Sequence, residues 1–185
     1  MKIAPASFLS FLTACLCAIQ PIFGQNTCSW DTASPLSLPL NLDQNFLRET
    51  QSQSSGTLLG ADCLSSYQAE ESGPPAFIYR LLGQIDLVSG EHWVLIFSEL
   101  NPERANDFAR MSCWIAQIDA GQVTQIYELA SYHAFSGQTH TVSSVISADG
   151  SMSRHEVQQG YSEGRQETFK DEKRETTFEA WISEQ

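Results

Sequence analysis

The stretch from Ala76 to Phe97 holds the densest run of strand-forming residues in the chain, and it constrains the fold more than any other segment. Its apolar side chains are mostly β-branched or aromatic, which suits the pleated surface of a sheet. The residues that carry the pattern are Ile78, Tyr79, Ile85, Val88, Trp93, Val94, Ile96 and Phe97. Because Ser89 and Gly90 separate two apolar halves, the stretch predicts a β-hairpin with apolar side chains on both faces.

More strands follow this hairpin. Alternating apolar residues predict a strand over Arg110–Ile118, a turn at Asp119–Gly121 and a return strand over Gln122–Tyr132. A longer loop is expected from His133 to Gln138. Beyond it, the Asp149–Gly150 pair lies between two further strand patterns and predicts a tight hairpin.

The last portion of the chain, Arg165 to Ile182, predicts two strands, although Gln166–Thr176 could instead form a charged helix. Thr176, Phe178, Ala180 and Ile182 alternate as a closing strand would. The predicted fold is therefore mainly β. We expect a single antiparallel meander of about six to eight strands, curved into a half-barrel or barrel, with one or two short helices.

The first 24 residues are typical of an export signal, which predicts a secreted or periplasmic protein. Lys2 supplies a positive start, an apolar run follows, and Gly24 ends a small-residue cleavage region. The alternative is a lipid-anchored envelope protein, since Leu12–Cys15 matches a bacterial lipobox in which Cys15 would carry the lipid. No later window approaches the ~18 apolar residues of a membrane span.

Residues 25–75 form an irregular N-terminal arm in this interpretation, and residues 76–185 form the β domain. Leu36 to Leu42 alternates with polar residues and suits an extended segment at a sheet edge. Asp43 is placed to cap a short helix through Leu47. Asn101–Phe108, with Pro102 at a first helical position, predicts one or two helical turns.

Charge excludes one class of partner. Residues 1–24 contain one basic and no acidic residue, so removing them from 185 leaves 161 residues with 9 basic against 22 acidic and a formal charge of −13. Nucleic-acid binding requires clustered Lys and Arg. A nucleic-acid ligand is therefore not expected.

Three cysteines remain after cleavage at Gly24. Cys28 and Cys63 both lie in the arm, which most needs a covalent tie, and an oxidising compartment favours a disulfide between them. Cys113 is left over inside a strand pattern. It is expected to be a buried small hydrophobe rather than a nucleophile.

Two motifs invite catalytic interpretations that the chain does not support. Gly160–Gly164 is a literal G-x-S-x-G, but the segment before it is polar and no histidine follows it, so a glycine-flanked loop is expected. His133 and His140 could approach each other across a loop and bind a metal with Glu128 or Glu156. Their spacing matches none of the common metal motifs, and no metal or cofactor is predicted.

These observations favour a non-catalytic exported protein, either a binding module or an envelope accessory, with the concave face of the sheet as its contact surface. The alternative is a lipocalin-like carrier that holds a small apolar ligand in a closed barrel, with Trp93, Trp114 and Phe178 facing the ligand. A metal-dependent enzyme is the third hypothesis. A filled interior with exposed aromatic side chains would favour binding of a protein or glycan at the surface.

Overall fold

The structure is a computed structural model that describes residues 28–60, 63–64, 77–87, 91–102, 108–162 and 164–185. Its elements, in chain order, are a 3₁₀ turn (Trp30–Thr32), β1 (Leu40–Leu42), α1 (Gln44–Gln53), β2 (Thr57–Leu58), β3 (Phe77–Ile85), β4 (His92–Leu100), β5 (Phe108–Asp119), β6 (Gln122–Phe135), β7 (Gln138–Ile146), β8 (Ser151–Ser162), β9 (Arg165–Thr177) and α2 (Phe178–Ser183). Within these residues, no helix combines the length and the apolar character needed to cross a membrane.

The strands of the described residues form one antiparallel sheet of nine. From β2 to β9 each strand pairs with the next in sequence, and β1 lies off this path and pairs with β7. The predicted meander is confirmed. The path is open, since β9 is not joined back to β2. The predicted hairpin of β3 and β4 is also present, whereas its turn at Ser89–Gly90 lies outside the described residues.

Strand β4 is the centre of the core because every residue from 93 to 99 is buried. Trp93, Leu95 and Phe97 belong to one hydrophobic cluster, and Val94 and Ile96 belong to another. Successive side chains of a strand point to opposite faces, so the two clusters lie on opposite faces of β4. The expectation that this hairpin is apolar on both faces is confirmed.

Beyond its short pairing with β2, the edge of β3 that faces away from β4 is covered by the N-terminal arm. Gln84 donates its backbone N–H to Ser34 at 2.9 Å, and its carbonyl accepts from the Leu36 N–H at 2.8 Å. A Cβ on Gly83 would lie 2.5 Å from the Leu36 side chain and 2.6 Å from the Ser34 carbonyl. The arm can therefore pass this closely only because residue 83 is glycine.

The arm reaches both faces of the sheet. Leu36 and Leu47 pack with the cluster around Trp93, whereas Trp30 and Leu64 join the cluster around Ile96. The predicted disulfide is confirmed: Cys28 and Cys63 are bonded, with their Cα atoms 5.6 Å apart. The bond closes the loop that contains β1, α1 and β2.

Helix α1 begins where the sequence predicts. The Asp43 carboxylate accepts a hydrogen bond from the Phe46 N–H at 2.9 Å, which satisfies a backbone donor of the first turn. Leu47 is then fully buried against the sheet. Of the second predicted helix, Asn101–Phe108, residues 103–107 lie outside the described residues. The predicted signal segment also lies outside them.

Strands β6 and β7 are paired over only part of their length and then separate. They pair from Ser131 to Phe135, and beyond Val142 the partner of β7 is β1 instead. Leu129 is an extra residue in β6 at a bulge opposite Cys113 and Trp114. Its carbonyl accepts a hydrogen bond from the Ser144 hydroxyl at 2.6 Å, so a side chain replaces the missing ladder bond.

Two strand ends differ from expectation. The loop predicted from His133 to Gln138 is wrong, because β6 continues to Phe135 and a two-residue turn at Ser136–Gly137 leads directly into β7. Both turn residues have positive φ, which fits the tight connections of antiparallel strands. Gly160 also lies inside β8 rather than in a loop.

The closing strand predicted over Thr176–Ile182 is wrong as well. Strand β9 ends at Thr177, and the Thr177 hydroxyl accepts from the Ala180 N–H and caps α2. Helical spacing then places Phe178 and Trp181 on one side, where both are buried. The helix prevails because it buries both large aromatic rings against the sheet.

Candidate functional site

The divergence of β6 from β7 leaves an open groove of about 360 Å³ between β6, β8, β9 and the end of α2. We call it the split groove. Its lining residues are Ile126, Tyr127, Glu128, Arg154, Glu156, Glu172, Arg174, Trp181 and Gln185. Three carboxylates and two guanidinium groups give this lining a formal charge of −1.

Two pairs of like charges stand next to each other on β8 and β9. Arg154 lies directly opposite Arg174, and Glu156 lies directly opposite Glu172. Residues two apart in a strand share a face and are about 6.6 Å apart, so the four charges form one square on the groove wall. Like charges directly opposite each other destabilise a sheet, and this arrangement therefore needs compensation from its surroundings.

Glu156 provides part of that compensation. Its carboxylate lies 3.0 Å from Lys170 Nζ, 2.9 Å from His140 Nε2 and 3.7 Å from an Arg154 nitrogen. Burial raises the pKa of Glu156, but hydrogen bonds from Lys170 and His140 outweigh burial and leave the pKa below its usual value. Glu156 is therefore charged at neutral pH.

The two arginines of the groove, Arg154 and Arg174, differ in how well their side chains are paired. Arg174 pairs with Glu184, which follows α2. Arg154 makes the 3.7 Å contact with Glu156, while its Nε is buried and has no hydrogen-bond partner. A buried donor without a partner costs free energy. A ligand in the groove does not reach that buried Nε and meets Arg154 only through the exposed remainder of its side chain, which is 26% exposed.

Aromatic rings form the opposite wall. The Tyr127 and Trp181 rings meet edge to face with centroids 5.6 Å apart. Trp181 in turn packs beside Phe178, which meets Trp93 edge to face at 5.4 Å. Tyr127 is half-buried, whereas Trp181 is 4% exposed, so Tyr127 offers most of the accessible ring surface in the groove.

The three aromatics predicted to face a ligand lie in different places. Trp93 and Phe178 are each 1% exposed and pack against each other in the core. Trp114 is half-buried in the other cluster and donates its indole N–H to Ser98 Oγ at 2.8 Å. The structure does not bring the three rings together at one surface.

His133 and His140 do meet, although not across a loop. They are directly opposite each other on β6 and β7, with ring centroids 5.8 Å apart. Burial lowers the pKa of His133, and the Arg110 charge lowers it further. Within the part of the chain that the structure describes, no three His, Cys, Asp or Glu side chains are grouped as metal ligands would be.

Neither Cys113 nor the serine of the G-x-S-x-G motif lies in a setting that suits a catalytic nucleophile. Cys113 is completely buried, and burial raises the pKa of its thiol far above the usual value. Of the G-x-S-x-G residues, Gly160, Tyr161 and Ser162 end β8 and Gly164 precedes β9, so these four lie at the end of a hairpin. A thiolate nucleophile at Cys113 is therefore disfavoured, and the serine lacks the strand-to-helix turn of a hydrolase.

Exposed aromatic side chains lie at one end of the sheet. Phe135, Tyr161 and Phe169 are 65%, 67% and 54% exposed. Phe135 and Tyr161 line a shallow depression beside the Ser136–Gly137 turn. The molecule therefore combines a packed interior with aromatic surface.

Sequence reasoning missed the split groove as a site. The sequence suggests Glu128 and Glu156 only as metal ligands, and it leaves Tyr127 and Trp181 between core packing and stacking on a ligand at the mouth of the sheet. The available signal is the placement of charges at alternate positions, Arg154 with Glu156 and Glu172 with Arg174, which puts all four on one face of a hairpin.

Comparison of the chain with protein-family models, curated proteins and solved structures finds no match.

Proposed function

We propose that this is an exported, non-catalytic binding module that takes a small polar ligand in the split groove. The observation that carries the proposal is a contrast within one molecule. The two apolar clusters of the sheet are filled by their own side chains, whereas the split groove is open and is lined by the partly exposed side chains of Arg154 and Glu156. Ligand sites are concave and contain a few placed polar groups.

The carrier alternative fits the structure less well. A carrier needs an apolar cavity inside a closed barrel. In this chain the sheet path is open, and the rings of Trp93 and Phe178 fill the space against each other. The aromatic surface at Phe135 and Tyr161 also favours recognition at the surface over storage inside.

Export is supported by the signal-like first 24 residues and by the disulfide. The bond between Cys28 and Cys63 is consistent with an oxidising compartment. The absence of catalysis is supported by two positions in the fold. Cys113 is buried with a raised pKa, and the G-x-S-x-G serine lies at a hairpin end.

The test uses purified protein comprising residues 25–185 in native mass spectrometry and thermal-shift assays. The ligand panel contains monosaccharides, disaccharides, amino acids, dipeptides and fatty acids. We expect a polar compound to bind and to be recovered with unchanged mass. The R154Q/R174Q double variant should lose this binding, whereas K173Q should retain it, because exposed Lys173 lies on β9 but does not line the groove.

Three results would contradict the proposal. Stoichiometric binding of a fatty acid would favour the carrier. Conversion of a panel compound to a product of different mass would indicate an enzyme. Polar ligand binding that survives in R154Q/R174Q would place the site elsewhere.

A further inference from the structure

We propose that the ligand of the split groove is a neutral sugar, bound as one or two rings. This inference rests on the binding function proposed above and adds the chemical class of the ligand. It is carried by three properties of the groove: its balance of charge, its mixture of donors and acceptors, and its aromatic wall.

Three of the five charged residues that line the groove are already paired with neighbouring side chains. Glu156 is held by Lys170 and His140, Glu172 lies 3.4 Å from Lys170, and Arg174 pairs with Glu184. A charged ligand would have to compete with these pairs and meet a lining of nearly balanced charge. A neutral ligand does not disturb them.

The hydrogen-bonding groups of the lining are mixed. Carboxylates only accept, and guanidinium groups only donate. Glu128, which accepts from Ser112 Oγ at 2.8 Å, lines the same groove as the partly exposed guanidinium side chains of Arg154 and Arg174. A hydroxyl group both donates and accepts. A ring that carries several hydroxyls can therefore satisfy both kinds of group at once.

The third property is the aromatic wall. A sugar ring has an apolar face of C–H groups, and the face of an aromatic ring carries partial negative charge that attracts such groups. Tyr127, half-buried beside Trp181, presents this surface in the groove. A volume of about 360 Å³ is near the lower end of ligand pockets, which suits one or two sugar rings.

The experiment is isothermal titration calorimetry with neutral mono- and disaccharides that represent the common hexoses and N-acetylhexosamines. The matching uronic acids and free amino sugars serve as charged analogues. Each titration is run at about 20 mM and about 500 mM NaCl, which changes the screening length several-fold. We expect a neutral sugar to bind with less than about twofold change between the two salt concentrations, and its charged analogues to bind more weakly.

Variants locate the sugar in the groove. R154Q should weaken binding about tenfold or more, because a hydrogen bond from a charged donor is lost. Y127F should bind like the original protein since the ring remains, whereas Y127L should lose most of the affinity. Thermal unfolding of each variant checks that the fold is intact, and K173Q is the matched control on β9.

The outcomes separate this inference from the function on which it rests. If an amino acid, dipeptide or sugar acid binds more tightly than any neutral sugar and R154Q/R174Q abolishes that binding, the ligand class is wrong and the binding module stands. If a neutral sugar binds equally well to R154Q and Y127L, the placement in the groove is wrong. If no polar compound binds, both proposals are overturned.

Discussion

Removing the disulfide should cost the protein a large part of its stability. The Cys28–Cys63 bond spans 35 residues of sequence, and the loop-closure relation gives about 3.8 kcal/mol for a loop of that length. The closed loop contains the whole section of the arm that crosses from one face of the sheet to the other. We therefore expect C28A/C63A to lose about 3 to 4 kcal/mol of unfolding free energy.

Urea denaturation followed by tryptophan fluorescence measures this loss. With an m value of about 2 kcal/mol per molar, the midpoint should fall by about 2 M. The original protein unfolded in the presence of a reductant is the matched control, because Cys113 contributes no disulfide and the reduced protein should reproduce the double variant. A midpoint shift below about 0.5 M, or about 1 kcal/mol, would refute the reasoning and show that the arm is held by packing alone.

Three further outcomes follow from single positions. D43A should lose about 1 kcal/mol in urea denaturation and D43N much less, because asparagine can still accept the hydrogen bond from the Phe46 N–H. Burial holds the pKa of His133 below its ordinary value of 6.5, so on acidification the unfolded chain takes up a proton before the folded protein does. The stability of the folded protein should therefore be full above pH 6.5 and should fall as the pH decreases toward the lower pKa of the folded state. H133Q should flatten that slope between about pH 7 and about pH 5, and an unchanged slope would assign it to other groups. Cys113, whose thiol is buried and whose pKa is raised, should react with a thiol reagent only after unfolding, and rapid labelling of the native protein would contradict its burial.

Local signals predicted the sheet well because its order follows the sequence. In a meander each strand pairs with its neighbour in the chain, so a turn such as Asp149–Gly150 fixes both the pairing and the direction. The Asp43 cap and the Cys28–Cys63 bond were predictable for a similar reason, since each depends on residue type and position within one segment. These features required no knowledge of distant contacts.

The C-terminal helix could not be predicted from its own residues. Over seven positions, apolar side chains at Phe178, Ala180 and Ile182 alternate as in a strand, while Phe178 and Trp181 have helical spacing. The choice between strand and helix depends on the side chains against which this segment packs. In the folded protein these are Trp93 and Tyr127, which come from distant strands and contact Phe178 and Trp181 of the helix.

The split groove has its geometric origin in the divergence of β6 from β7. If β6 had stayed paired with β7 along its full length, residues 126–128 would lie in a continuous sheet and no space would remain beside Arg154 and Arg174. Instead, the pairing of β6 with β7 ends at Ser131, two residues from the bulge at Leu129. Strand β1 pairs with the remaining part of β7, and α2 packs Phe178 and Trp181 against Trp93 and Tyr127. The charged residues of β8 and β9 then line the same groove as Tyr127. The groove forms where neighbouring strands separate rather than within one segment, so its residues come from four elements of the chain.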